Sequence, residues 1–224
     1  SRITAGYSDD DLTDNITSGL GRAIALDLSH GSAAVTLTQT DTVDNTRIIG
    51  DVLFGAGGDR FNLLSGEVSG DVDFGTGADT LNINSARLFG DVIFRGAGAN
   101  VSLFGSDMVG ALNLGNAAGA LSFTGGSTYN GAIASTGGAV SMLVNNSTVN
   151  NSGTGTLNLT SCGASNTARV GLVINNARIA GNTPIYNVAG TADIAANTVF
   201  TPIFEDFTNQ AFTLRVVNAG TLNL

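Results

Sequence analysis

Gly50-Asp51-Val52-Leu53-Phe54-Gly55 is followed 20 residues on by Gly70-Asp71-Val72-Asp73-Phe74-Gly75, then by Gly90-Asp91-Val92-Ile93-Phe94. A fourth copy starts at Gly110 and runs Ala111-Leu112-Asn113-Leu114. Shifting the chain by the same 20 residues aligns further apolar columns. Phe61, Leu81, Val101 and Leu121 form one, and Leu63, Ile83, Leu103 and Phe123 another. Ile48, Val68, Leu88 and Met108 form a third. A unit this short has too little apolar area to fold alone, so it must cover its neighbour. Pairs at i and i+2 point to one face of a strand. Each unit therefore reads as three short strands, at 52–54, 61–63 and 67–69, joined by three corners. Stacked, such units form a parallel β-helix with a packed core. A hairpin meander would not hold the apolar columns in phase.

The outward positions follow the same period. Arg47, Glu67, Arg87 and Asp107 alternate in sign down one column. Asp51, Asp71 and Asp91 place like charges above one another, and each carboxylate is expected to accept backbone N–H groups of its own corner, as in an Asx-turn, and hold that corner. Ala23 to Leu28 and Ala34 to Leu37 read as the first strands. Val140, Met142 and Val144, then Leu157 and Leu159, then Val170, Leu172 and Ile174 extend the pattern with a looser period. An extra residue is assigned to Gly131. Asn145-Asn146, Asn150-Asn151 and Asn175-Asn176 read as corners whose amides bond between coils; sugar ligation is the alternative. The whole chain is expected to be one β-helix unit. Residues 1–22 form a polar segment or cap carrying the acidic run Asp9 to Asp14, 23–180 the regular coils, and 181–224 the C-terminal coils.

Composition narrows the functions. The 224 residues carry 31 Gly, 2 Pro and a formal net charge of −9, and every basic residue is Arg. Such a surface repels a phosphate backbone, so no nucleic-acid partner is expected. Between Ala111 and Gly190 there is neither Asp nor Glu, which leaves a neutral Ser/Thr/Asn/Gly stretch suited to the cell exterior. Cys162 is the single cysteine, so no internal disulfide forms. No apolar run is long enough to span a bilayer as a helix. The start at Ser1-Arg2 reads as that of a trimmed fragment, and the apolar stretch Phe212 to Leu224 as a strand that continues or stacks on something.

The Gly-rich corners ending at Asp59 and Asp79 have some likeness to calcium-binding repeats, but the period differs and the third copy, Arg95-Gly96-Ala97-Gly98-Ala99, has no Asp. They are expected to be structural turns. His30, the one histidine, is expected in an exposed turn. Cys162 is expected to be a small, partly buried residue near a corner. Polysaccharide cleavage would draw on Asp51, Asp71, Asp73 and Asp91 with Arg87 or Arg95. Asp73 faces outward with room to act, but the short coils supply no loops to wall a cleft. No catalytic, cofactor or metal site is predicted.

The units at Gly50 and Gly70, together with Thr201-Pro202-Ile203-Phe204 and Phe212-Thr213-Leu214-Arg215-Val216-Val217, resemble the passenger domains of bacterial autotransporters. The C-terminal part resembles the region joining such passengers to their membrane barrel. The resemblance covers about 23–224. It implies a right-handed parallel β-helix displayed at the surface of a Gram-negative cell, with the membrane barrel outside this chain. Passengers of that family serve as adhesins, toxins, proteases, esterases or stalks, and the regular solenoid with its uncharged second half favours adhesion to a host or neighbouring-cell glycan or protein. The alternatives are an inert stalk that self-associates through Phe212 to Leu224, or a polysaccharide- or ester-cleaving enzyme.

Overall fold

The chain is a parallel β-solenoid. The computed structural model describes residues 2–4, 23–40, 46–205 and 211–224. All described strand pairings are parallel, and they assemble into sheets of nine, six and ten strands. One coil of the regular region uses Asp51–Leu53, Arg60–Leu63 and Glu67–Ser69, one strand in each sheet. Ahead of it, the strands Ile24–Asp27 and Thr36–Gln39 lie close to where sequence placed them. The polar N-terminal segment and its acidic run lie outside the described residues, apart from the strand Arg2–Thr4, which pairs with Arg47–Ile49.

The apolar columns are vertical stacks. Val52 pairs with Val72, Val72 with Val92, Val92 with Leu112, and Leu112 with Ile133. All five are buried. Phe54, Phe74 and Phe94 stack nearly face to face, with ring centroids 5.0 and 4.7 Å apart and interplanar angles of 5° and 4°. The ring spacing is that of neighbouring parallel strands, about 4.8 Å, so backbone pairing sets the stack. The core is continuous from Ile48 to Ile194.

The glycine that opens each unit is there because coils touch. A Cβ on Gly90 would lie 2.0 Å from the carbonyl oxygen of Gly70, and one on Gly110 1.9 Å from that of Gly90. Gly131 continues this column, since its Cβ would meet the Gly110 carbonyl oxygen at 1.8 Å. The extra residue therefore does not enter at Gly131. Phe104 pairs with Thr124 at a shift of 20, whereas Asp107 pairs with Thr128 at 21. The insertion sits between them, at Gly125-Gly126, both with positive φ. A second insertion uses the same corner: Asn145 pairs with Ser165 and Thr148 with Arg169, so Asn166-Thr167 holds the added residue. Both have left-handed backbone, with φ of 49° and 65°.

The six-stranded sheet stops at Ile133–Ala134. Beyond it the regular cross-section changes. Residues 152–156 form an irregular segment, and a short helix, Asn176–Gly181, lies near them. Asn175, predicted as part of a corner, is the N-cap of this helix: its Oδ1 accepts the Arg178 N–H at 2.9 Å. Arg178 is buried and donates to the carbonyl oxygens of Gly153, Thr154 and Gly155 at 3.3, 2.7 and 2.9 Å. One guanidinium thus satisfies backbone groups that would otherwise be stranded where the sheet ends. The C-terminal coil carries the strands Val199–Phe204 and Val217–Asn223. Residues 206–210 lie outside the described residues.

Candidate functional site

The predicted acidic cluster is a structural ladder. The Asp71 N–H donates to Asp51 Oδ1 at 2.8 Å, the Asp91 N–H to Asp71 Oδ1 at 2.6 Å, and the Ala111 N–H to Asp91 Oδ1 at 2.7 Å. Each carboxylate holds the next coil rather than closing an Asx-turn in its own. Charge-assisted bonds of this kind offset the repulsion of stacked like charges. Asp73 does face outward, but its reach is taken. Arg95 Nε and Nη2 donate to its two oxygens at 3.0, 2.9 and 2.7 Å, and the Gly75 N–H donates to Oδ1 at 3.0 Å. The pair holds the Arg95 guanidinium above its usual pKa, through hydrogen bonding and then charge.

Asp59 and Asp79 point inward. Both are buried, and their Oδ1 atoms accept the N–H groups of Val35 and Asp59 respectively, each at 2.7 Å. Their Oδ2 atoms are buried without a hydrogen-bond partner. Burial, and to a lesser degree the neighbouring Asp59, push the Asp79 carboxyl up to about 6. His30 is exposed in a turn, its Nδ1 3.7 Å from Asp27 Oδ1. Ser29 Oγ donates to that same carboxylate at 2.6 Å, so the serine does not address the imidazole. Cys162 lies within the strand Ser161–Ser165, not at a corner, and stacks between Met142 and Ala192. Burial pushes its thiol up to about 11, so it is not held as a thiolate.

Concave surface occurs at the corners. One groove, of about 280 Å³, is lined by Arg47, Glu67, Arg87 and Asp107. The predicted register of this column holds, with Arg47–Glu67 and Arg87–Asp107 approaches of 3.7 and 3.8 Å. Its charges face their own counter-ions. A second groove, of about 570 Å³, is shallow and uncharged, and Phe104, Asn145, Asn146, Asn166, Thr167 and Asn197 line it. Here the one-residue-shorter corner at Asn146 lies between the two lengthened corners, Gly125-Gly126 and Asn166-Thr167. Phe104 is 54 % exposed although it ends a strand whose Val101 and Leu103 are buried. Asn166 Nδ2 donates to Asn145 Oδ1 at 3.1 Å, and the Thr167 hydroxyl lies 3.1 Å from Asn146 Oδ1 and closer to the Asn166 carbonyl oxygen. Asn amides bridge coils elsewhere too, as Asn150 does to Asn130 at 2.7 Å. The predicted inter-coil role of these amides is thus borne out at Asn145, Asn146 and Asn150, but Asn150 and Asn151 lie within the strand Thr148–Asn151 and not at a corner.

Sequence reasoning missed Phe104 and Arg178. Phe104 had a legible signal: a large aromatic ring one residue past an inward leucine, where the aligned positions are Asn84 and Thr124. Arg178 had none, because its role depends on a sheet ending elsewhere. Comparison with family models, curated proteins and solved structures finds no match.

Proposed function

We propose that this solenoid is a surface-displayed adhesive scaffold of the autotransporter-passenger kind, working outside the cell without turnover. The observation that carries the reading is the neutral groove at Phe104 and Asn146, the place where an exposed aromatic ring and a cluster of oriented amides converge. The regular coils hold this surface on a stiff frame, as a display function requires. The uncharged stretch from Ala111 to Gly190 surrounds it with polar, non-repelling surface.

The test is a binding screen of the purified chain on whole cells, matrix proteins and glycans, run beside esterase, protease and polysaccharide substrates. Specific adhesion with no turnover is the expected result. Turnover that disappears in Asp73→Asn or His30→Ala would overturn it.

A second reading, a self-associating stalk, draws on the C-terminal end. Val199, Ile203, Phe204, Phe212 and Leu222 are exposed there, and Val199–Phe204 is the last strand of its sheet among the described residues. An open apolar edge of this sort favours strand addition. End-to-end association in sedimentation experiments, without adhesion to any surface, would support the stalk instead.

A further inference from the structure

We propose that the groove beside Phe104 binds an uncharged oligosaccharide chain, one sugar ring stacking on Phe104 and the hydroxyls of the following rings bonding the amides of Asn145, Asn146 and Asn166. This deepens the adhesive reading above and rests on it.

The ring is positioned by the backbone of the next coil. Gly125 lies against it, and a Cβ at that position would come within 2.7 Å of Phe104 Cε2. Gly125 also has a φ of +68°, which an L side chain rarely adopts. The inserted glycine therefore gives the ring a seat while leaving it more than half exposed. An exposed phenylalanine is unremarkable alone. A seated one beside a polar notch is a platform. Pyranose rings present C–H groups of slight positive character on one face, which complement the negative face of an aromatic ring.

The amides supply what sugar hydroxyls need. A hydroxyl is both donor and acceptor, and a carboxamide offers both roles with no charge. The Asn166–Asn145 bond orients one pair of amides, and the Thr167 hydroxyl shares its single hydrogen between Asn146 Oδ1 and the Asn166 carbonyl oxygen. The first uses one of the two Nδ2 hydrogens of Asn166, and the second engages Asn146 through its oxygen, so donor capacity remains on both. The amides recur from coil to coil at about 4.8 Å, comparable with the length of one hexose unit, so a glycan would run along the solenoid axis.

Charge decides the glycan class. No residue lining the groove is charged, and the chain as a whole carries −9. An anionic polymer would be repelled and would find no counter-ion in the groove. A protein partner fits less well, because protein hot spots are formed by well-packed, fully desolvated pockets, and this groove is shallow and solvent-open.

The experiment screens the purified chain on an array of neutral and anionic oligosaccharides. The strongest neutral and anionic hits are then titrated into isotope-labelled protein, observing the Asn side-chain amide and Phe ring signals. Neutral chains should bind, with shifts at Phe104, Asn146 and Asn166. Phe104→Ala should weaken binding by about tenfold or more, and Phe104→Tyr should retain it. Asn146→Gly keeps the left-handed corner and should weaken binding through loss of the amide alone. The melting curves of these variants should stay near that of the parent, which separates a site effect from misfolding. Absence of neutral-glycan binding, equal binding by Phe104→Ala, or preference for anionic chains would overturn the proposal. Adhesion to cells that survives in Phe104→Ala would leave the adhesive reading standing and remove this site. Loss of both adhesion and glycan binding in the parent protein would overturn the two together.

Discussion

Replacing Asp79 by Asn should stabilise the solenoid at neutral and alkaline pH and lose that advantage in acid. Asp79 is fully buried, its Oδ1 accepts the Asp59 N–H, and its Oδ2 has no partner. Its carboxyl is raised from 3.8 to about 6 in the folded chain, first by desolvation. For a group whose folded pKa is raised, the stabilising contribution is complete below the unfolded value. It is lost as pH rises through the folded one. The window therefore runs from about 4 to about 6, and acidification across it strengthens the fold at this residue. The gap is worth about 3 kcal/mol at full ionisation. An Asn keeps the Oδ1 acceptor and carries no charge. Urea unfolding of parent and variant at intervals from pH 4 to 8 measures the difference directly. Asp79→Asn should exceed the parent by about 2–3 kcal/mol at pH 8 and converge with it near pH 4. A difference that is flat with pH, or a variant less stable than the parent at pH 8, would refute the reasoning.

Phe74→Ala should cost about 3–5 kcal/mol, since it empties a site with stacked rings on both sides, and hydrogen exchange should quicken in the coils above and below. A loss under about 1 kcal/mol would mean the stack collapses around the gap. Arg178→Met should cost about 3 kcal/mol by leaving the carbonyls of 153–155 unpaired, and exchange should quicken in that segment before the regular coils are touched. Unchanged stability in urea would show that water replaces the guanidinium. Cys162 should resist a disulfide reagent at pH 8 in the folded protein and react at once in urea, because burial holds its thiol protonated. Rapid labelling of the native chain would contradict its inward placement.

The strand columns were legible because a solenoid writes its packing into the sequence at a fixed interval. Val52, Phe54 and their successors had to be apolar and in phase for the coils to stack, and the register confirms each pair tested. The corner carboxylates were half legible. Sequence gave Asp51, Asp71 and Asp91 a backbone partner but placed it within the same turn, whereas the donor is one coil away. That distinction exists only after stacking. The helix Asn176–Gly181 stayed hidden for a different reason: six residues cannot display a helical period. Its cap at Asn175 looks, in sequence, like any other Asn pair at a corner. The groove at Phe104 was hidden by a misplaced insertion. Assigned to Gly131, the extra residue falls in a column of close backbone contact; at Gly125-Gly126 it lengthens a solvent-facing corner.

The location of both insertions joins fold to function. Two of the three corners of a regular coil are locked from coil to coil. One is fixed by the carbonyl contacts of the Gly50 to Gly131 column and the Asp51 to Ala111 ladder, the other by the buried Asp59–Asp79 contacts and Gly119, whose Cβ would meet the Ala99 carbonyl oxygen at 1.9 Å. An added residue there would break inter-coil bonds and move the inward columns out of phase. The third corner is fixed on its inner side, where the N–H groups of Ala86, Ser106 and Ser127 donate to the hydroxyls of Ser106, Ser127 and Ser147 at 3.4, 3.3 and 3.1 Å. Its outer side adopts left-handed backbone at Ser85, Gly105, Gly126, Asn146 and Thr167, and there a residue can be added without disturbing the serines. In the first coil the corner before Thr36 is two residues longer than its counterpart before Arg60, whereas between Arg47 and Arg169 both added residues fall at the third corner. The uneven corner lengths that result place Asn146 between Gly125 and Asn166 and seat Phe104 on a glycine, so the surface proposed to bind arises where the core imposes least.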